Sequence, residues 1–314
     1  MQFPNRTLLN LDKVFLEYFF RGAVDFSKVI SGAAQPQITR QSLSPVEISF
    51  PTFPEQKRIV AILDEAFAGI DAAVANTEKN LDNVRELFES YLNTVFTQKG
   101  DGWVEKTIGE ISAVKGGKRV PKGYKLQSEP TKHPYITVAN FSDEGSVDLE
   151  GLRYVSEEVH AEIRRYTISP KDLYISIAGT IGKTGIIPDE LDGANLTENA
   201  CKLVFNEEVV NRFVFFFTKT ASFTEQALQN TRVAAQPKLA LSRLATIKLS
   251  IPSVTEQQRV IASCDAFGAE SQRLEAIYQQ KLEALAELKQ SILQKAFAGE
   301  LTALPDKQIE EAVA

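Results

Sequence analysis

This chain repeats itself, at an offset of 201 residues and without a gap, so any fold it adopts has to contain two related structures. Asn10 matches Asn211, Ala33-Ala34-Gln35-Pro36 matches Ala234-Ala235-Gln236-Pro237, and Leu43 and Pro51 match Leu244 and Pro252. Glu55, Gln56, Arg58 and Asp64 match Glu256, Gln257, Arg259 and Asp265. Leu81, Glu86, Leu87, Leu92 and Phe96 then match Leu282, Glu287, Leu288, Leu293 and Phe297. Chance does not produce an ordered set of identities over about 90 positions. Each copy reads as the tail of a domain, then Pro-x-x-x-Glu-Gln, then a long helix. A whole domain precedes the second helix, whereas only the equivalent of its last 50 residues precedes the first. Roughly 100 residues of the first unit are therefore expected to be absent, through a truncated or rearranged gene or a start placed inside a longer reading frame. The resulting division is a domain remnant over 1–52, a helix over 53–99, a complete domain over 100–252, a second helix over 253–299 and a flexible tail over 300–314.

The helices follow from spacing. Ile59, Leu63, Ala66, Ile70, Ala73 or Val74, Thr77, Leu81, Val84, Phe88, Tyr91 and Val95 alternate in steps of four and three, the pattern of a coiled-coil seam. Pro54 and Glu55 suit a first helical turn, and Gly100 and Gly102 suit its end. The second seam runs Val260, Cys264, Phe267, Leu274, Tyr278, Leu282, Leu285, Leu288, Ile292 and Ala296, after Thr255 as N-cap and ending near Gly299. Each stripe is too apolar to leave in water, so the helices are expected to pair with each other, antiparallel. A generic dimerisation coiled coil is the competing reading; the repeat argues against it by tying each helix to its own preceding domain.

Between the helices the pattern is that of a mixed α/β (α+β) domain. Strands are expected at 134–139, 172–178, from 185, at 200–205 and at 248–252, and helices at 157–166 and from 211 to 228. Three segments suit a polyanionic ligand. Lys115-Gly-Gly-Lys-Arg-Val-Pro-Lys-Gly-Tyr-Lys125 carries Lys115, Lys118, Arg119, Lys122, Tyr124 and Lys125, with glycines that let the backbone lie close to a ligand. Gly179–Gly185 offers Thr180, Lys183 and Thr184 to phosphates or base edges. The third runs from Arg232 through Gln236 to Lys238. The plainer readings are surface hairpins for the first two and a core-sealing connection for the third.

Net charge, −6, argues against nucleic acid until its distribution is considered. Residues 113–135 hold six basic side chains against one acid, as do residues 211–248, whereas residues 54–96 hold eight acids against four bases. The acidity sits on the first helix and the basic residues on the domain. Several enzyme classes are excluded. Gly182-Lys183-Thr184 ends like a phosphate loop, but the glycine that motif needs at 177 is Ile177, and Gly185-Ile-Ile-Pro188 does not start a helix. No amino-methyltransferase motif is present, and Pro188-Asp189-Glu190 lacks the Glu-x-Lys of a nuclease site. Two histidines (His133, His160) and two distant cysteines (Cys201, Cys264) make neither a triad nor a metal set. With no leader pattern over residues 1–20 and no apolar run near the roughly 18–20 residues that cross a bilayer, a metal-free cytoplasmic protein with no membrane partner is expected.

Phe53-Pro-Glu-Gln-Lys-Arg-Ile-Val-Ala-Ile-Leu-Asp64 and Val254-Thr-Glu-Gln-Gln-Arg-Val-Ile261 resemble the helix starts of specificity (S) subunits of type I restriction-modification systems. Trp103–Ile111, Gly179–Gly185 and Ala194-Asn-Leu-Thr-Glu-Asn-Ala200 are similar to other stretches of that family, and the likeness covers nearly the whole chain. The resemblance implies two target-recognition domains, each reading half of a bipartite site in double-stranded DNA. Paired helices act as a ruler between them, and the subunit itself catalyses nothing. Methyltransferase (modification) subunits supply the S-adenosylmethionine chemistry and restriction subunits the ATP- and Mg-dependent cleavage. The first recognition domain here lacks most of its body. Two copies are therefore expected to associate as a homodimer, covering the apolar stub from Val14 to Phe20. The alternative is a silent or regulatory fragment that occupies modification subunits without productive DNA reading. A stand-alone transcription factor lacks any helix-turn-helix or zinc signature.

Overall fold

A computed structural model describes residues 10–31, 35–48, 50–229, 231–232 and 238–301, for 231–232 the backbone alone. The repeat segments 33–34 and 234–237, Gln236 among them, and the tail from 302 lie outside the described residues. In chain order the helices are α1 (Lys13–Gly22), α2 (Arg40–Leu43) and α3 (Phe53–Gln98). Then come β1 (Val104–Thr107), α4 (Ile108–Ile111), β2 (Ser112–Gly116), β3 (Pro134–Ile136), β4 (Arg153–Tyr154), α5 (Glu157–Ile163), β5 (Leu173–Ser176), β6 (Thr184–Gly185), β7 (Asn195–Leu196) and β8 (Ala200–Phe205). The chain continues through α6 (Asn211–Thr218), α7 (Ala221–Gln229), β9 (Thr231–Arg232), β10 (Lys238–Leu239), α8 (Leu241–Leu244), β11 (Lys248–Ile251) and α9 (Val254–Phe297). Two compact units contain them: Met1–Val84 with Arg273–Ala314, and Arg85–Gln272. The two long helices, of 46 and 44 residues, each contribute to both.

In the first unit, α3 and α9 run antiparallel. Lys289 reaches Asp71 at 2.7 Å and lies over the Phe67 ring, and Leu293 and Ala296 join Ile59, Val60, Leu63 and Ile70 in one core. Helix α1 closes this core. Asp12 caps it by accepting from the Val14 and Phe15 amides, and Phe15 and Phe19 both meet Phe297 edge-on at 5.4 Å. Two phenylalanines of the apolar stub, Phe15 and Phe19, are therefore covered, whereas Val14 stays 42% exposed. Phe15 is 1% exposed and Phe19 8%, both covered from within the unit, which removes the reason for expecting a second copy to cover them.

The Glu-Gln pair of the repeat has a mechanical role. Gln56, fully buried, accepts from the Asp12 amide at 2.8 Å and donates to the carbonyls of Asn10 (2.9 Å) and Pro51 (2.8 Å). In the second unit Gln257, also fully buried, accepts from the Val210 amide at 2.9 Å and donates to Glu208 (2.9 Å) and Pro252 (3.0 Å). Each glutamine pins the first turn of a long helix to the tail of the domain before it. The α9 N-cap is Ser253, not Thr255: its hydroxyl accepts from the Glu256 amide and its carbonyl from Gln257. At the end of α3 the left-handed residue is Lys99 (φ 44°), followed by Gly102 (φ 81°).

In the second unit the pairing is again antiparallel, with Tyr91 and Phe88 stacked on Phe267 at 4.5 and 6.1 Å. Beyond it, β2-β8-β5-β6 form an antiparallel sheet, β4-β3-β7 a mixed one, and β1 pairs with β11, joining the domain's entrance to its exit. Leu92, Phe96, Val260 and Cys264 share a core with β5, β8 and the aromatic face of α6. A second core fills the space around Tyr174, Phe141 and Ile187. The fold is thus a mixed α+β domain flanked by two long helices in an antiparallel coiled coil. No described helix is long and apolar enough to cross a membrane.

Candidate nucleic-acid interface

The middle of the sheet determines which loops meet. β8 lies between β2 and β5, so the loop leaving β2 and the turn leaving β5 both emerge beside the segment that enters β8. Backbone hydrogen bonds complete the junction. Gly117 donates to Ala200 at 2.9 Å and Lys118 to Leu196 at 2.8 Å. The amides of Ile177 and Ala178 donate to the Asn199 carbonyl, and Leu239 donates to Ile177. Ala178 bridges to Lys238, which pairs with Arg232 across the β9–β10 hairpin. Residues 117–118 and 177–178 therefore share one edge, locked together through residues 196–200, and Lys238 joins it through Ala178. Gly117 makes this possible: a Cβ there would stand 2.0 Å from the Thr197 carbonyl oxygen.

Lys115, Lys118, Arg119 and Lys238 are exposed at this edge, and Lys122 and Lys125 are exposed further along the loop that leaves β2. Lys118 lies 5.8 Å over the Tyr166 ring. Arg119 is 78% exposed at its side chain and bonds through Nε to Glu198 Oε1 at 2.5 Å. Burial pushes the Glu198 carboxyl up, but hydrogen bonds from Arg119, its own amide and Thr197 outweigh that and hold it below the usual range, ionised. Tyr135, pushed up to about 12 chiefly by burial, keeps its proton and donates to the Lys118 carbonyl at 2.8 Å. The Tyr124 hydroxyl donates to Glu158 at 2.6 Å while the residue stays 41% exposed.

The Gly179–Gly185 segment lies between two strands, in the hairpin of its plainer reading. It is the hairpin turn of β5 and β6, with Gly179 and Gly182 at φ 77° and 92°. Thr180 is exposed and its carbonyl accepts from Ser176 at 2.5 Å. Lys183 turns away, bonding to the Phe141 carbonyl (3.2 Å) and to Asp143 (2.8 Å). Thr184 faces inward, fully buried, with its hydroxyl 2.6 Å from that of Thr218. Full burial keeps it from a surface ligand. Of Arg232 only the backbone is described, and Gln236 lies outside the described residues. Sequence reasoning missed Glu198 and Asn199, although the polar run Thr197-Glu198-Asn199 between two strand-like stretches was the available signal.

Among the described residues no three His, Cys, Asp or Glu side chains are grouped to hold a metal ion. The two histidines stack on each other at 3.9 Å, with His133 bonded to Glu157 and His160 to Asn195. The unit presents a cationic edge with exposed glycine turns, suited to contacting a phosphate backbone and the base edges beside it.

Residues 5–81 and 100–284 match the family model of the type I restriction modification DNA specificity domain. The chain is 22% identical to the specificity subunit of the Escherichia coli type I restriction enzyme EcoBI, over 93% of its own length and 67% of the relative's. It is 24% identical to that of EcoKI from E. coli K12, over 92% and 66%. It thus spans about two thirds of these relatives. Among solved structures it resembles a chain from work on complex assembly and conformational transition of the type I R-M system (TM-score 0.74, 18% identity, 92% of this chain and 69% of that one). It also resembles the HsdS subunit of Thermoanaerobacter tengcongensis (TM-score 0.58, 19%, 93% and 71%). At such identities the structural likeness is one of fold.

Proposed function

This chain belongs to the family of type I restriction modification DNA specificity domains, and we propose that it reads DNA sequence for a complex whose chemistry resides in other subunits. The domain of residues 100–252 contacts a few base pairs of duplex DNA, one half of a bipartite site, through the edge where residues 115–125, 177–180, 196–199 and 238 meet. Lys115, Lys118, Lys122, Lys125 and Lys238 neutralise phosphates and fix the register, while groups nearer the groove read bases. The paired helices hold this domain and dock modification and restriction subunits, where S-adenosylmethionine, ATP and Mg act. The chain itself performs no catalysis.

The observation that carries this reading is the junction at residues 196–200. It gathers loops far apart in sequence into one cationic edge on a chain whose net charge is −6. Phe15 and Phe19 of α1 are covered within their own unit, so they offer no surface to a second copy, while a homodimer would supply the second recognition domain that the other half-site calls for. The test is to co-purify the chain with type I modification subunits from the same genome and select bound duplexes from a random pool. Enrichment of one fixed motif is expected, with methyl transfer by the complex and none by the chain alone. A stable complex that enriches no motif would favour a regulatory fragment and overturn DNA reading.

A further inference from the structure

The Arg119–Glu198 pair joins residues 79 apart in sequence, at the point where the 115–125 loop meets the segment entering β8. We propose that Arg119 is a base-reading side chain that recognises guanine, and that Glu198 is its positioning residue. The inference rests on the DNA-reading function proposed above and names a specificity-determining contact within it.

Arg119 is 78% exposed, and an ion pair with one partner this open contributes about 0–1 kcal/mol, which does not offset the cost of drawing the Glu198 carboxylate, 26% exposed, partly out of water. Affinity for phosphate does not offset it either. Glu198 cancels the charge of Arg119, so the pair adds little to the counterion release that drives backbone binding. What the pair does supply is direction. Glu198 takes the Nε–H of Arg119, while Nη1 and Nη2 make no hydrogen bond among the described residues. A guanidinium held at one edge presents its remaining planar donors in a fixed orientation. Guanine offers two acceptors side by side in the major groove, N7 and O6, which match such a fork; adenine pairs an acceptor with a donor there and does not.

The support is itself anchored. Glu198 Oε2 accepts from Thr197 at 3.1 Å and faces the Tyr135 hydroxyl at 3.5 Å, and that hydroxyl donates to the carbonyl of Lys118, the residue before Arg119. The Lys118 amide is bonded to Leu196, so the backbone on both sides of the pair is held. Among the described side chains, no other candidate cation on this edge combines a largely exposed head group with a bonded carboxylate: Lys118 rests on an aromatic ring, and Lys183 is bonded into the 141–143 loop.

The test compares motifs selected from random duplexes by the complex assembled with its modification subunits. Wild type is set against Arg119→Lys, Arg119→Ala and Glu198→Gln, with Lys122→Ala as a phosphate-contact control. The expected result is loss of preference, by about 5- to 150-fold, at a single G·C position in both Arg119 variants, with the rest of the motif intact. Glu198→Gln weakens preference at that same position, a readout that a merely structural role would not move. Lys122→Ala lowers affinity for all sequences alike. Arg119→Lys keeps the charge and the chain fold, so an unchanged motif, or a uniform loss across sequences, overturns the assignment. A wild-type complex that selects no motif overturns the DNA-reading function, and this inference with it.

Discussion

Replacing Gln257 by alanine is expected to cost about 3–5 kcal/mol, a large part of the roughly 5–15 kcal/mol that stabilises a typical domain. The side chain is fully buried and satisfies three backbone groups: the Val210 amide and the carbonyls of Glu208 and Pro252. Truncation leaves each of the three groups buried without a partner at about 1–3 kcal/mol, and local relaxation keeps each cost toward the lower end of that range. Trp103 is the only tryptophan and packs on Phe96 and Phe213, so its fluorescence during urea titration reports on this unit. Gln257→Ala is expected to lower the Trp103 midpoint strongly, whereas Gln279→Ala, on the exposed face of α9, changes stability by less than about 0.5 kcal/mol. Gln257→Glu keeps the acceptor for Val210 but turns a carboxylate toward two carbonyl oxygens. Its folded-state pKa is therefore raised above the unfolded value of about 4.3. The ionised form carries the cost, so the gap to wild type is full near pH 7 and narrows as pH falls toward 5. A Gln257→Ala variant within about 1 kcal/mol of wild type would refute the clamp.

Replacing Lys118, Lys122 and Lys125 together by alanine should weaken DNA binding. It should also flatten the slope of log K against log salt by about 2–3, since each phosphate contact contributes about 0.9; fluorescence anisotropy at several salt concentrations measures both. Gly117→Ala places a Cβ 2.0 Å from the Thr197 oxygen, so DNA affinity should fall at least ~10-fold while the circular dichroism spectrum is retained. Burial pushes both the Cys201 and Cys264 thiols up to about 12, so neither should react with a disulfide reagent at pH 8 until denaturant is added. Asp12 is held below the usual carboxylate range by its hydrogen bond to Lys57 and by the Phe15 and Val14 amides. Its contribution to the first unit is present above the unfolded pKa and should be lost as pH falls through the depressed folded value, a loss that Asp12→Asn abolishes in acid titrations followed by circular dichroism.

The long helices were legible because their apolar spacing is local and persists over many turns. The seam drifts from the pattern read in sequence: Phe67 rather than Ala66 is buried, and Leu92 and Phe96 rather than Val95. A straight helix has 3.6 residues per turn and slides off a 3.5-residue repeat. Leu288, read as part of the seam, is 48% exposed, because a two-helix pair covers only part of each apolar stripe where no third element packs on it. The domain was less legible because several strands are two residues long and take their partners from afar, so the inward orientation of Thr184 had no local signature. Gln56 and Gln257 stood out as repeated residues, but their role depends on backbone groups up to 49 residues away. Glu198 escaped a search for cations because it is an anion; the polar run around it was visible in sequence, but its pairing with Arg119, 79 residues away, was not.

Photo-crosslinking from single positions tests most directly whether the 115–125, 177–180, 196–199 and 238 edge is the surface that meets DNA. A photoreactive residue at Lys122, Thr180 or Lys238 in the assembled complex should capture a bound duplex. One at Glu207, beyond the opposite end of the β2–β8 pair, should not. Capture from Glu207 with none from the other three positions would contradict the account.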